Sequence, residues 1–294
     1  MADIAVAPDD VEEIEAPAAK PRRKLRIGLW LAGTWMVVMV VLAILIPWLP
    51  IMHYQDVDFT QSFARPSGSI DWWFGADKFG HSIFGQVLWG ARTSLTVGFV
   101  SVVIGMSVGG VLGMIAGFYR GWIDRIFLIV TDAMLAFPAL ILLLAMVSVL
   151  DRNLRNIVIA LAILSIPSFA RLARANTLVY AEREFVMAAR SMGAKNGRLI
   201  FKEILPNVAL PLLSYMPIVV AVVIVAEGSL AFLGLSLPPP RPSWGEMINA
   251  GRDELEDNPH VTLIPGAVMF ATVLSLNWIG QRLRQIYDPR ESSV

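Results

Sequence analysis

Long apolar runs separated by short charged ones dominate this chain. Six runs stand out, at 28–50, 93–118, 126–149, 156–170, 208–235 and 261–279. A helix needs ~20 apolar residues to cross the ~30 Å hydrocarbon core, so each run predicts a spanning helix, the fourth borrowing length from its flanks. The expected fold class is therefore an all-α polytopic membrane protein with six transmembrane helices. Lys20, Arg22, Arg23, Lys24 and Arg26 precede the first run as in a secretory signal. That run is too long for a signal and lacks an Ala-x-Ala exit, so a retained anchor is expected.

The polar interruptions carry as much information as the spans. Segment 171–207 holds seven Lys and Arg between two apolar runs. Its punctuation predicts two short helices, 181–192 stopped by Gly193 and 198–205 stopped by Pro206, since Gly suits a left-handed cap and Pro cannot continue a helix in register. With the N-terminus inside, the 1–27 tail, the 119–125 turn, this loop and the C-tail collect about 17 of the 24 Lys and Arg, as the positive-inside bias requires. Both termini are therefore expected in the cytoplasm, with 51–92 and 236–260 outside the cell membrane. The division is a 1–27 tail, a first span at 28–50, an outer segment at 51–92, a five-helix unit at 93–280 containing the 181–207 loop, and a 281–294 C-tail. Residues 1–19, acidic and rich in Ala and Pro, cannot bury a core and are expected to be disordered. Asp71-Trp72-Trp73-Phe74 and 84–88 suggest an interfacial amphipathic piece, because aromatic rings favour the headgroup level.

Composition agrees with the pattern. Hydrophobic residues make up 56% of the chain, charged residues 16%, and mean hydropathy is +0.62, where a soluble domain is about a quarter charged. The net charge of zero names no partner, because the charges are segregated along the chain. Absence of cysteine excludes disulfides, thiolate zinc sites and thiol catalysis.

The loop residues Ala188, Ala189, Gly193, Leu205 and Pro206 resemble the EAA loop of ABC importer permeases. Met187 stands where that family has an acid, and Glu203 where it has Ile. The resemblance implies a type I ABC importer permease fold, with this loop as a cytoplasmic coupling helix docked on an ATP-hydrolysing subunit. Glu184, Ala188, Ala189, Arg190, Gly193, Ala194, Leu205 and Pro206 are its docking candidates, and small side chains suit close approach.

Further blocks are similar to the C-type permeases of the dipeptide, oligopeptide and nickel branch. They are Phe74-Gly75-Ala76-Asp77 with Gly80, Gly90-Ala91-Arg92-Thr93-Ser94-Leu95, Gly117 to Asp124, Glu227 through Gly234-Leu235, Pro242-Ser243-Trp244-Gly245, and Asn277 through Asp288-Pro289-Arg290. His81-Ser82 replaces the branch's usual Arg-Asp. This resemblance implies a translocation half-pathway for di- or oligopeptides, or for a nickel chelate, glutathione or another small solute. It also implies a homologous B-type permease, two ABC ATPase subunits that bind ATP and Mg, and an extracytoplasmic substrate-binding protein.

Other features have two readings. Gly105, Gly109, Gly113 and Gly117 recur every four residues and favour close helix packing, against either the partner permease or this chain's own core. Asp132 and Glu227 lie inside spans, where a charge normally faces the bundle or water. They are candidates for a pathway or gating role, or for a helix-to-helix hydrogen bond, with Arg171 or Arg174 as a partner for Asp132. Asp253, Glu254, Glu256 and Asp257 form an outer acidic run, either solvated or a contact for the binding protein. His53, His81 and His260 lack metal-ligand spacing, so no metal is expected.

No phosphate-cradling Gly-x-x-x-x-Gly-Lys-[Ser/Thr] occurs, so the chain is expected to bind no cofactor and to catalyse no covalent chemistry. The basic residues are juxtamembrane rather than interleaved with aromatics, which argues against nucleic acid. Two rival classes remain, an ion-gradient secondary transporter and a membrane scaffold. The first would need no docking loop, and in the second the loop would bind some other cytoplasmic protein.

Overall fold

The structure, a computed structural model, describes residues 23–287. Residues 1–22 of the expected 1–27 tail and residues 288–294 of the expected C-tail lie outside these residues. The described chain is helical, and its one β feature is an isolated antiparallel bridge between Ala76 and Ser82. Five helices are long and apolar enough to cross a membrane, and one bent helix pair supplies up to a sixth.

The helices outrun the hydropathy windows, because windows mark apolar stretches while caps and packing fix helix ends. Helix α1 spans Arg23–Leu45. Helix α2 spans Ile83–Tyr119 and begins well before the expected 93. Ser82 caps it by accepting from the Gly85 amide at 3.1 Å, which satisfies an orphan N–H of the first turn. The 84–88 piece is thus part of a span rather than a separate interfacial helix. Trp73 and Phe74 fold back on it, each with its ring centroid 5.4 Å from Phe84.

The expected 126–149 span is broken. Helix α3 (Gly121–Ala136) and helix α4 (Ala139–Val149) meet at 90°. Pro138 has no N–H to donate and forces the preceding residue out of the helical region, and Phe137 is extended at φ −77°, ψ 134°. Helix α5 (Leu154–Tyr180) runs ten residues past the expected 170, through Arg171 and Arg174.

Helix α6 (Glu184–Ser191) is the short helix expected in the loop. Pro206 ends nothing: α7 (Asn196–Arg198) passes through a π-helical turn at Leu199–Ile204 into α8 (Leu205–Phe232) without a stop. Proline lacks an N–H to donate, and Pro206 falls at the second residue of α8, directly past the π turn. The wider π turn moves the hydrogen-bond register just ahead of it, and the Asn207 side chain donates to the Glu203 carbonyl at 2.8 Å. Helix α9 (Trp244–Gly251) and helix α10 (His260–Tyr287) complete the fold, so α10 takes in the start of the expected 281–294 tail.

The centre of the bundle is the α2–α5 contact. Gly105, Gly109, Gly113 and Gly117 all turn toward α5, where an added Cβ would meet Ser165, Ile166, Ala170 and Arg174 respectively. The glycine ladder therefore packs this chain's own core. Helix α1 lies along α10, with the Trp35 indole donating to Thr272 at 3.0 Å. At ~1.5 Å per residue, the 28 residues of α8 run about 42 Å, with α6 packed near its start and α9 against its last turns around Gly228; the two short helices thus sit toward opposite ends of the bundle.

Candidate functional site

Two constructions occupy those opposite ends. At one, α6 is closed by a Schellman motif. The Ala194 amide donates to the Ala189 carbonyl at 3.1 Å, and the Gly193 amide donates to Arg190 at 3.0 Å. Gly193 has φ +82°, a conformation costly for any residue with a Cβ. One α6 face is internal, with Val186 and Ala189 buried. The other is open and carries Ala188 together with Phe185, Met187 and Met192, the last 82% exposed.

The docking candidates therefore divide. Glu184, Ala188, Arg190 and Gly193 are exposed, Ala194 and Leu205 are half-buried, and Pro206 is exposed. Ala189 points inward as an anchor. Phe185 and Met192 add apolar surface that the Ala-Ala spacing did not single out, although a hydrophobic stripe beside a Gly cap is a legible signal.

Charges brace the root of α6. Arg120 at the end of α2 pairs with Glu182 at 2.6 Å. Arg190 lies over the Phe118 ring, 5.8 Å from its centroid. Arg174 grips Asp124 with two nitrogens. Arg171 takes Asp132 at 2.5 Å, one of the two partners considered from sequence. Three ion pairs thus tie the α2–α3 strand of chain to α5 and the loop after it.

At the other end lies Glu227, fully enclosed at 1% exposure. Its Oε1 accepts from Ser236 at 2.7 Å and from Ser243 at 2.9 Å. Ser243 also caps α9 by accepting from the Glu246 amide at 3.2 Å, and Ser-x-x-Glu is itself a helix-start signature. Next to it Trp244 is wholly buried, donating its indole N–H to the Val87 carbonyl at 3.1 Å and its amide to Ser94 at 3.2 Å. An added Cβ on Gly245 would meet Gly228 at 2.5 Å. The Pro-Ser-Trp-Gly run is thus a plug that locks α9 onto α2 and α8. Glu246 is half-buried, and burial, with the nearby Glu227 second, raises its carboxyl above the ordinary range.

The remaining candidates are dispersed. Asp253 pairs with the adjacent Arg252 at 3.2 Å, and Asp253, Glu256 and Asp257 are exposed while Glu254 is half-buried. His53 stacks on Tyr54 and Trp89, His81 bonds Asp77 at 2.8 Å, and His260 abuts Gly75. Among the described residues no group of three or more His, Asp or Glu could hold a metal ion.

An all-helical body of five or six helices able to cross a membrane, with a short capped helix set outside it, defines a polytopic membrane protein. Residues 109–293 match the family of binding-protein-dependent transport system inner membrane components, and the chain belongs to that family. It is 41% identical to the glutathione transport system permease protein GsiD of Pectobacterium atrosepticum, over 75% of this chain and 73% of the relative. It is 39% identical to the dipeptide transport system permease protein DppC of Alkalihalophilus pseudofirmus, over 86% of this chain and 83% of that one. The fold also matches an inward-facing structure of the MetNI methionine ABC transporter, with TM-score 0.57 and 19% identity, covering 69% of this chain and 96% of that one.

Proposed function

We propose that this permease forms half of the translocation pathway of an ATP-driven importer for di- or oligopeptides, glutathione being the nearest alternative cargo. It pairs with a homologous B-type permease and receives cargo from an extracytoplasmic binding protein. Of its two ATPase subunits, which bind ATP and Mg, one docks on α6. The chain itself performs no covalent chemistry, and both of its termini lie in the cytoplasm with α6. Closure of the ATPases pushes α6, and the helices joined to it rock as rigid bodies between two arrangements.

One observation carries this reading: a capped, eight-residue helix that buries one face and leaves Phe185, Met187, Ala188 and Met192 open. An ion-driven transporter needs no such docking element, and the relatives named for dipeptide and glutathione transport supply the cargo class.

The test is proximity. Met192→Cys in this cysteine-free chain, treated with a short bifunctional thiol reagent in the assembled complex, should cross-link to an ATP-hydrolysing subunit. Phe270→Cys, exposed on α10, should not. Equal cross-linking from both positions, or none from Met192, sinks the docking assignment.

A further inference from the structure

On the α6 side, the bundle opens between α3, α5, α8 and α10 into a cavity of about 770 Å³, within the ~300–1,000 Å³ of small-molecule pockets. Its chemistry is one-sided. Arg171, Arg183 and Arg284 line it beside Tyr180, Tyr215 and Tyr287, and no Asp or Glu is among the described lining residues. Arg171 is committed to Asp132, and Arg284 lies over the Tyr215 ring, 5.9 Å from its centroid. Arg183 makes no ion pair among the described residues. Guanidinium groups present a planar fork of donors matched to an oxyanion.

Arg183 has a second position in the fold. It is the N-cap residue of α6, and its carbonyl accepts from the Val186 and Met187 amides at 3.0 and 3.1 Å. The wall of the cavity and the start of the docking helix therefore share a residue. Arg284 stands on α10, so an anion held by both guanidiniums would tie the entrance of α6 to the last helix.

We propose that this cavity is a product-side site for the carboxylate of the cargo, and that its occupancy restrains α6. Released cargo would then slow the next cycle by holding α6 against the bundle. The inference rests on the peptide-importer reading above and adds a residue-level site to it.

The experiment uses the whole complex in nanodiscs of neutral phosphatidylcholine, without binding protein. The probes are glutathione and dialanine, which share a free carboxylate, compared with glutathione diethyl ester and dialanine amide, which have none. Equilibrium dialysis should show both acids retained and their blocked forms held at least tenfold more weakly. Arg284→Gln should weaken the acids about tenfold and leave the blocked forms unmoved. In the same discs, the acids should lower basal ATP hydrolysis in the wild type, with the half-inhibiting concentration raised about tenfold by Arg284→Gln.

Equal retention of acid and blocked probes, or acid binding indifferent to Arg284→Gln, overturns the site. Displacement of the acids by phosphatidylglycerol at sub-stoichiometric amounts assigns the oxyanion to a lipid headgroup and also overturns it. A complex that cross-links through Met192 and transports, yet retains neither acid, removes this site alone. Failure of the Met192 cross-link removes the docking assignment instead.

Discussion

Ser243 donates its hydroxyl to Glu227 Oε1 at 2.9 Å, and Ser243 Oγ itself accepts from the Glu246 amide at 3.2 Å. One serine thus joins the carboxylate inside α8 to the first turn of α9. Glu227 is completely enclosed and is met by two hydroxyl donors, which describes a helix-to-loop brace. A gating role would act through that brace.

Changes at this brace should separate by hydrogen-bonding capacity. In Glu227→Gln the amide oxygen can still accept from both serines, so the yield of assembled complex should stay near wild type. Glu227→Ala orphans Ser236 and Ser243 in a closed space, at roughly 1–3 kcal/mol for each unsatisfied group, and should collapse the yield. Ser243→Ala loses a helix cap worth about 1 kcal/mol and should fall between them. Detergent-solubilised yield and melting temperature give the order. If Glu227→Gln keeps its yield but loses uptake, the carboxylate has a pathway or gating role beyond bracing.

The glycine ladder makes a similarly graded case. An added Cβ on Gly113 meets the Ala170 backbone carbonyl, which cannot swing away as a side-chain tip can. Gly113→Ala should therefore cost stability in the range of overpacked sites, roughly 1–3 kcal/mol. Gly33→Ala and Gly266→Ala, with open space around the added carbon, should be silent. Equal melting temperatures for all three would mean that α2 and α5 do not pack as described.

Glu246 offers a pH test outside the spans. Its carboxyl titrates above the ordinary range, first through burial and second through the charge of Glu227. A raised folded-state value favours the protonated acid. Its contribution to stability is therefore fully present below the unfolded value and is lost as pH rises through the folded one. Glu246→Gln should flatten the decline in melting temperature over that window and leave acidic samples nearly unchanged. An identical pH profile in mutant and wild type would remove the effect.

Orientation is open to a thiol reagent that cannot cross the membrane. Single cysteines at Ser67, Asn196 and Ser292 can be placed in a chain that has none. Intact cells should label only the Ser67 variant, and permeabilised cells all three. Labelling of the Asn196 variant in intact cells reverses the topology and moves α6 outside, away from any cytoplasmic ATPase.

Much of this architecture is legible in the residues, and the parts that are not share a cause. Apolar runs locate each span, because lipid demands them whatever the packing. Gly193 announces its own left-handed cap. The break at Phe137–Pro138 is also written locally, since a proline constrains the residue before it, yet apolar residues on both sides conceal it from any hydropathy window. Pro206 misleads in the opposite sense: a stop by its type, it sits beyond a π turn that no composition reveals. The bonds from Ser236 and Ser243 to Glu227 close over loops of nine and sixteen residues, so they exist only once α9 is seated. Whether the glycine ladder faces a partner or this chain's α5 is likewise a tertiary fact.

The sharpest prediction contrasts neighbouring alanines. Family resemblance treats Ala188 and Ala189 as a pair, but Ala189 is buried and Ala188 exposed. Ala189→Glu should drive a carboxylate into packed apolar surroundings without a partner, lowering the yield of the chain itself. Ala188→Glu should leave the yield and melting temperature intact while ATPase retention and peptide uptake fall together. Gly193→Val belongs with Ala188→Glu in its functional loss. It adds a modest stability cost, because a β-branched residue resists φ +82° even with no neighbour within 4 Å of the new carbon. The readouts are complex yield, co-purified ATPase and uptake in proteoliposomes, measured on the same preparations. If Ala188→Glu and Gly193→Val retain their ATPases and transport at the wild-type rate, α6 is not the grip, and its open face must serve another partner.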